Sequence, residues 1–176
     1  RKQLVCFAIR EEDRKLRKKP KNPHNGRNAS SKDPTTWGSL EDAIKAAGRY
    51  KLDGVGFMFY GGYFGVDLDH VIENGAIDAY AADVISTMDS YSEISPSGTG
   101  IHIIAKGKPP RNVHNDRLEV YQIQTADDGS ITKGANFFTV TGDVWEDERP
   151  IAERTEAVKE IFRKYVPEPD PADGAD

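Results

Sequence analysis

The sequence predicts a mixed α/β domain of the α+β class. Three observations lead to this prediction. The chain has 176 residues, which is long enough to bury one core. Its hydrophobic residues, 37% of the total, occur in short runs that alternate with polar residues or recur at helical spacing. The strands and helices predicted in this way follow one another without a regular βαβ order.

Charge is distributed unevenly, although the formal net charge is only -5. Basic residues crowd the first segment, at Arg10, Arg14, Lys15, Arg17, Lys18, Lys19, Lys21, Arg27 and Lys32. The negative total argues against a protein that coats nucleic acid, but a local basic patch can still bind phosphates. No apolar run approaches the roughly 20 residues that cross a bilayer, so we expect a soluble chain with no membrane partner.

The first third of the chain predicts a strand, a basic loop and a helix. Residues 3–9 form an apolar run typical of a strand. Turn-forming residues crowd 19–26, so we expect the basic segment to lie in a solvated loop. Ser39 is the predicted N-cap of a helix that ends near Tyr50, with Asp42 in the capping-box position.

The single cysteine, Cys6, lies inside the first apolar run. A buried structural thiol is expected there rather than a nucleophile. One cysteine allows neither a disulfide nor a thiolate zinc site within the chain, which fits a reducing compartment.

The remaining elements follow from the same patterns. In residues 57–69 an apolar strand, a glycine turn and a second strand predict a hairpin around Gly61 and Gly62. Further predicted elements are helices over 75–89 and 151–165, strands over 90–94, 101–105, 117–121 and 137–141, a tight loop over 95–100, a basic loop over 106–116, and a loop or hairpin insert over 124–136. We expect one domain over 1–166, followed by an acidic, proline-rich tail over 167–176 that begins a linker.

Two acids, Asp67 and Asp69, end the second strand of the central stretch. Side chains alternate along a strand, so both carboxylates point to the same side. Like charges at that spacing repel, and a hard divalent cation between them would relieve the repulsion. A solvated strand end accounts for the pair equally well when it is considered alone.

Three further groups could complete such a site. The glycines of residues 97–100 let backbone amides approach an anion, and the loop leads to His102. Glu119 stands alone on one face of an apolar strand. Basic side chains lie between these groups, at Lys106, Lys108, Arg111 and Arg117. A structural histidine, a plain hairpin loop and a half-exposed glutamate explain each group singly, but their conjunction favours metal-assisted chemistry on a phosphate.

Three motifs resemble those of the archaeo-eukaryotic primase superfamily. They are the acidic pair Asp67-Leu68-Asp69, the element Ser95-Pro96-Ser97-Gly98-Thr99-Gly100-Ile101-His102, and the element Leu118-Glu119-Val120-Tyr121. Flanking segments over 19–37, 54–57 and 137–142 resemble the primase-polymerase domains of phage and plasmid replication proteins. Relatives often carry a basic residue where this chain has Asn136.

This resemblance implies an RRM-like catalytic sheet packed with an N-terminal α/β lobe, and DNA primase and polymerase activity by two-metal nucleotidyl transfer. Asp67, Asp69 and Glu119 would bind two Mg²⁺ or Mn²⁺ ions, and His102 would complete the catalytic set. The nucleotide-binding residues would be Ser97, Gly98, Thr99, Gly100, His102, Lys106 and Arg117. Contacts to DNA are expected at Lys18, Lys19, Trp37 and Arg111.

The implied partners are a DNA template with its primer, a dNTP or NTP, and a C-terminal helicase domain in a longer chain. The implied location is the cytoplasm of a prokaryotic host, with a phage or plasmid as the source. Two other functions stay open. A non-catalytic single-strand-binding module could display Phe137 and Phe138 to bases, and a metal-dependent nuclease would use the same acids with a nearby general base.

Overall fold

The computed structural model describes residues 2–134 and 137–168. In chain order, the strands within these ranges are β1 (Leu4–Glu12), β2 (Lys15–Lys21), β3 (Gly54–Phe57), β4 (Tyr63–Leu68), β5 (Ile72–Glu73), β6 (Ala76–Ile77), β7 (Ser92–Ile94), β8 (Ile101–Lys106), β9 (Val113–His114), β10 (Leu118–Tyr121), β11 (Gln124–Thr125), β12 (Ile131–Lys133) and β13 (Phe138–Val140). The helices are α1 (Leu40–Arg49), α2 (Ala79–Met88) and α3 (Thr155–Tyr165), and Pro34–Thr36 forms a 3-10 turn. The predicted mixed α/β class is confirmed.

Two antiparallel sheets organise the domain. The four-stranded sheet has the order β13-β3-β1-β2, and the five-stranded sheet has the order β7-β8-β4-β10-β9. The short hairpins β5-β6 and β11-β12 lie outside them. Helix α1 packs on β1 and β3, whereas α2 and α3 share a core with the five-stranded sheet.

Strand β4 shows how the five-stranded sheet separates its two faces. Phe64, Val66 and Leu68 alternate along the strand and belong to the core shared with α2 and α3. Asp67, between the last two, must therefore point to the opposite face. That face is turned towards the four-stranded sheet, which leaves polar groups in a cleft between the sheets.

The two sheets meet through aromatic rings that lie against Gly65. Phe59 and Phe138 pack edge to face, with ring centroids 4.6 Å apart. A Cβ atom at Gly65 would collide with both rings. The lack of a side chain there lets the rings lie directly over β4, two residues from Asp67.

The basic segment up to Lys21 forms a hairpin and not the expected loop, whereas residues 22–26 do form a turn, as predicted. Strand β1 continues to Glu12 and pairs with β2 from Cys6↔Lys21 to Glu12↔Lys15. The two residues between them, Asp13 and Arg14, have φ values of 52° and 61°. Positive φ at both positions is the conformation of a tight two-residue hairpin turn.

The predicted hairpin in the central stretch is also wrong. Gly61 and Gly62 do adopt positive φ values, 66° and 81°. However, β3 before them belongs to the four-stranded sheet and β4 after them to the five-stranded sheet. The glycines therefore carry the chain from one sheet to the other.

Helix starts follow their capping residues. The capping box at Ser39 is confirmed: its hydroxyl accepts from Asp42 N at 3.1 Å, and the Asp42 carboxylate accepts from Ser39 N at 3.0 Å. Helix α2 starts four residues later than predicted, because Asp78 caps it and residues 72–77 form the β5-β6 hairpin.

Other elements confirm the predictions from sequence or differ from them in their bounds. Helix α3 begins at Thr155 rather than at residue 151. The insert over 124–136 contains the β11-β12 hairpin, and Cys6 is buried as expected, with its thiol donating to Ala43 O at 3.1 Å. Asn136 and most of the expected tail lie outside the described residues. Within 2–134 and 137–168, no helix has the length and apolar character to cross a membrane.

Candidate active site

Polar side chains form a row across the five-stranded sheet, with one member from each strand. Glu93 of β7 pairs with His102 of β8, which pairs in turn with Asp67 of β4. Asp67 pairs on its other side with Glu119 of β10, and Glu119 pairs with His114 of β9. Directly opposed residues in antiparallel strands project from the same face. The backbone register therefore brings together residues that are up to 52 positions apart in sequence.

Three carboxylates converge in this row and just beyond it. Asp67, Asp69 and Glu119 each offer an oxygen, and these oxygens all lie within 4.8 Å of one another. Asp69 follows β4 directly, where its N–H donates to Arg117 O at 3.2 Å. Burial, reinforced by the carboxylate of Asp67, raises the pKa of Asp69 against the opposing effect of nearby histidines. The structure thus brings the three predicted metal ligands together.

One oxygen of this cluster lacks a donor. Asp67 Oδ1 is buried and accepts no hydrogen bond from the described residues. A buried carboxylate oxygen without a partner costs free energy. A divalent cation would satisfy it, and a set of carboxylate oxygens is the ligand type that Mg²⁺ and Mn²⁺ prefer. The residues present therefore fit the predicted metal.

His102 lies between two acids and is 5% exposed. Its Nε2 is 3.6 Å from Asp67 Oδ2, and its Nδ1 is 3.8 Å from Glu93 Oε1 and 3.2 Å from Thr139 O. The ring stacks on Phe138 with centroids 4.4 Å apart. Burial alone would lower the pKa of His102, but the two carboxylates outweigh it and raise the pKa to about 9. The two carboxylates therefore favour the protonated form of the ring.

Glu93 supports His102 from behind, a role that the sequence analysis missed. It is fully buried and accepts hydrogen bonds from Thr141 N at 2.9 Å, Gly142 N at 3.0 Å and the Tyr91 hydroxyl at 2.8 Å. Burial favours its protonated form, but the nearby imidazole of His102 and the hydrogen bonds from these donors lower the pKa of Glu93. An acid inside a short predicted strand is the signal in the sequence that could have identified it.

A cavity of about 350 Å³ opens over Asp67, Glu119 and His102. Its lining consists of Leu16, Lys18, Asp67, His102, Glu119, Tyr121, Phe137, Phe138 and Thr139. Lys18 Nζ donates to Thr139 Oγ1 at 2.9 Å, so β2 contributes a cation to the rim. Partial burial lowers the pKa of Lys18, against the opposing effect of Asp67. The cavity can therefore accommodate an anion near Lys18, beside the carboxylates that could bind a cation.

Comparison with known proteins supports the same interpretation. No protein-family model matches the chain. Over 152 residues, or 82% of its length, the chain is 35% identical to a protein of Nitratiruptor phage NrS-1 named DNA primase-polymerase. The chain contains a phage-type primase-polymerase domain. The match covers 20% of that relative, so the chain spans about a fifth of its length.

In this primase-polymerase domain, the predicted nucleotide loop is the turn between β7 and β8. Gly98 has a φ of 76°, and the Ser97 hydroxyl lies 3.0 Å from the Thr99 hydroxyl. A Cβ atom at Gly100 would come within 2.6 Å of Leu68 O, so glycine allows the turn to approach the end of β4 closely. The loop therefore lies beside Asp69 and its side-chain contacts are internal.

Two predicted nucleotide-binding cations lie away from the row. Lys106 ends β8, four residues or about 13 Å along the strand from His102, and lies over the Tyr63 ring at 5.6 Å. Arg117 forms an ion pair with Asp78 and lies over the Tyr80 ring at 4.5 Å. The structure does not bring these cations together with the carboxylates.

The predicted DNA-binding residues lie in different environments. Lys19 pairs with Glu12 at 2.8 Å on the β1-β2 hairpin. Arg111 donates to Pro167 O at 2.9 Å, near the end of α3. Trp37 is 1% exposed and its indole donates to Ser30 O at 2.8 Å. Contrary to expectation, its ring belongs to the core and is not available to DNA. Lys18 instead joins the cavity over the acids.

Proposed function

We propose that this domain transfers nucleotides from dNTPs or NTPs to a 3′-hydroxyl on a single-stranded DNA template. The observation that carries the proposal is the convergence of Asp67, Asp69 and Glu119 below an open cavity, with Asp67 Oδ1 lacking a donor. The similarity to a protein named DNA primase-polymerase supports it.

The three carboxylates would hold two Mg²⁺ or Mn²⁺ ions. Such ions, when bound, activate the attacking hydroxyl and neutralise charge on the leaving pyrophosphate. Their ligands are fixed by the strands: Asp67 and Glu119 are directly opposed, and Asp69 is tied to the start of β10 through its backbone. This rigidity favours a preformed site over one assembled from mobile loops.

His102 and Lys18 would contact the triphosphate of the incoming nucleotide. Both are positively charged groups at the cavity, and Glu93 and Thr139 fix their positions. The backbone of residues 97–100 would assist, because its glycines allow close approach beside Asp69. Lys19 and Arg111 would contact DNA outside the cavity.

A primer-extension assay tests the proposal. The chain, with a primed template, dNTPs and Mn²⁺ or Mg²⁺, should extend the primer, and EDTA should stop extension. Asp67→Ala should reduce the rate by about two to three orders of magnitude, because several kcal/mol of charge stabilisation would be lost. Asp147→Ala removes an exposed acid away from the cavity and serves as the matched control.

Two outcomes would count against this function. Normal extension by Asp67→Ala would remove the carboxylates from the reaction. Single-strand binding that persists in EDTA, without any extension by the unaltered chain, would favour a binding module instead.

The setting of the domain is a further part of the proposal. We infer that it acts in a longer replication protein with a helicase region, in the cytoplasm of a prokaryotic host. The resemblance to phage and plasmid replication proteins supports this, as does the fraction of the phage relative that the chain spans. A P-loop in the encoded sequence after Asp176 would strengthen it.

A further inference from the structure

Leu16 is an exposed apolar side chain in a strand that is otherwise basic. It is 76% exposed and lies in β2, within the sequence Lys15-Leu16-Arg17-Lys18. It also lines the cavity that contains Asp67. A single exposed leucine is ordinary on a protein surface. Leu16 differs because it lies at the rim of a cavity that is also lined by charged side chains.

The strand geometry turns Leu16 towards the cavity. Leu16 and Lys18 are two positions apart, so they share one face of β2 at a separation of about 7 Å. The bond from Lys18 to Thr139 fixes the direction of that face. Ile9, which pairs with Lys18, is 39% exposed and lies diagonally across from Leu16. This face of the hairpin thus carries Leu16, Ile9 and Lys18, with the exposed acid Glu11 directly opposite Leu16.

We propose that Leu16 packs against the nucleobase of the incoming nucleotide, with Ile9 beside it. The inference rests on the proposed function, in which Lys18 and His102 contact the triphosphate. A nucleotide has charged phosphates at one end and a flat apolar face at the other. The cavity has the same order, because Lys18 and His102 lie beside the acids and Leu16 lies further along β2. Every base has such a face, so the contact would not select among the four bases.

Calorimetric binding to the 176-residue chain in Mn²⁺ tests the contact without relying on activity. The ligands are dGTP, which carries a base, and inorganic tripolyphosphate, which does not. Leu16→Ala should weaken dGTP binding by about fivefold or more, since apolar contact area is lost, and should leave tripolyphosphate binding unchanged. Leu16→Met keeps the apolar volume and should retain the affinity for dGTP.

Leu40→Ala is the matched control. Leu40 is 50% exposed on α1 and is not among the cavity residues, so its loss should change neither ligand. Equal dGTP binding by Leu16→Ala and the unaltered chain would overturn the inference, as would an equal loss for both ligands. A chain that binds neither ligand would instead contradict the proposed function. A chain that binds both with the same affinity would show that the base makes no contact.

Discussion

The two sheets of the domain differ in where their charged side chains lie. In the five-stranded sheet, Glu93, His102 and Asp67 are directly opposed and largely buried, and each has a charged neighbour. In the four-stranded sheet, the charges of the β1-β2 hairpin are mostly exposed. There Lys18 reaches the cavity from a strand edge, and its neighbours Arg17 and Lys19 pair with Glu12.

This difference separates fixed from exchangeable groups. Buried charges keep their geometry because moving them would leave an unpaired charge in the interior. Exposed side chains exchange partners cheaply, because their ion pairs contribute little free energy. We infer that the side chains of the buried row keep one geometry. The side chains of the hairpin would instead give up their present partners when a substrate binds. The effects of substitutions in the two sheets should therefore differ in magnitude and in the parameter that changes, whether rate, KM or stability.

The largest effect is expected at Glu119. Glu119→Gln should lower the primer-extension rate by about two orders of magnitude, because one of three converging carboxylates loses its charge. His114→Ala is the control: this side chain pairs with Glu119 but is 80% exposed, and exposed pairs contribute little. Steady-state kinetics would measure both variants. Equal losses in the two variants would show that the pairing of His114 with Glu119, and not the Glu119 carboxylate alone, is required for extension.

A smaller effect, in a different parameter, is expected at Glu93. Glu93→Gln removes one of the two carboxylates beside His102 and should raise the KM for nucleotide by about 10-fold or more, with a smaller change in kcat. It should also reduce the free energy of unfolding by about 1–3 kcal/mol, since the Thr141 and Gly142 N–H groups lose a charged acceptor.

Glu73→Gln provides the control for Glu93, because Glu73 is an exposed acid on β5. Kinetics and thermal unfolding should both be unchanged in that variant. If Glu93→Gln lowered only the stability, with KM intact, Glu93 would be a structural group and not a positioning one.

The smallest effect is expected on the hairpin. Lys18→Ala should raise the KM for nucleotide by about 10-fold, the size of one charge-assisted contact. Stability should change little, because the residue lies at the exposed rim and its Nζ makes a single hydrogen bond among the described residues, to Thr139 Oγ1. Lys19→Ala removes a neighbouring cation that projects from the other face of β2 and pairs with Glu12. It should leave this KM unchanged. A clear loss of stability in Lys18→Ala would show that the hairpin side chain, like the buried row, contributes to the stability of the fold.

Much of the candidate site follows from local patterns in the sequence. Alternation along β4 is sufficient to place Asp67 opposite the core face, and the capping residues of α1 are adjacent in sequence. Strand pairing between β4 and β10 is harder, because it joins Asp67 to Glu119 across 52 residues. The family motifs predicted that Asp67 and Glu119 share a metal site, but neither they nor the periodicity predicted which strands pair.

The features that the sequence did not predict have identifiable physical causes. The β1-β2 turn uses Asp13 and Arg14 at positive φ, where glycine or asparagine is the usual signal. The position of Lys18 depends on how two sheets pack through Phe59 and Phe138, which no local pattern records. Trp37 packs in a core cluster with Val5 and Met58. Its indole N–H is satisfied by Ser30 O, so its aromatic character does not indicate a nucleic-acid surface.

The row of opposed side chains has a consequence for how the domain can evolve. Each member depends on strand register, and a shift of one residue turns a side chain to the opposite face. A single insertion or deletion inside β4, β8 or β10 would therefore transfer a charge into the core beneath α2 and α3. Length changes should be confined to the connections, such as the β11-β12 insert, whose pairing is independent of the five-stranded sheet. Across homologous domains we therefore expect loop lengths to vary more than the spacing within these three strands.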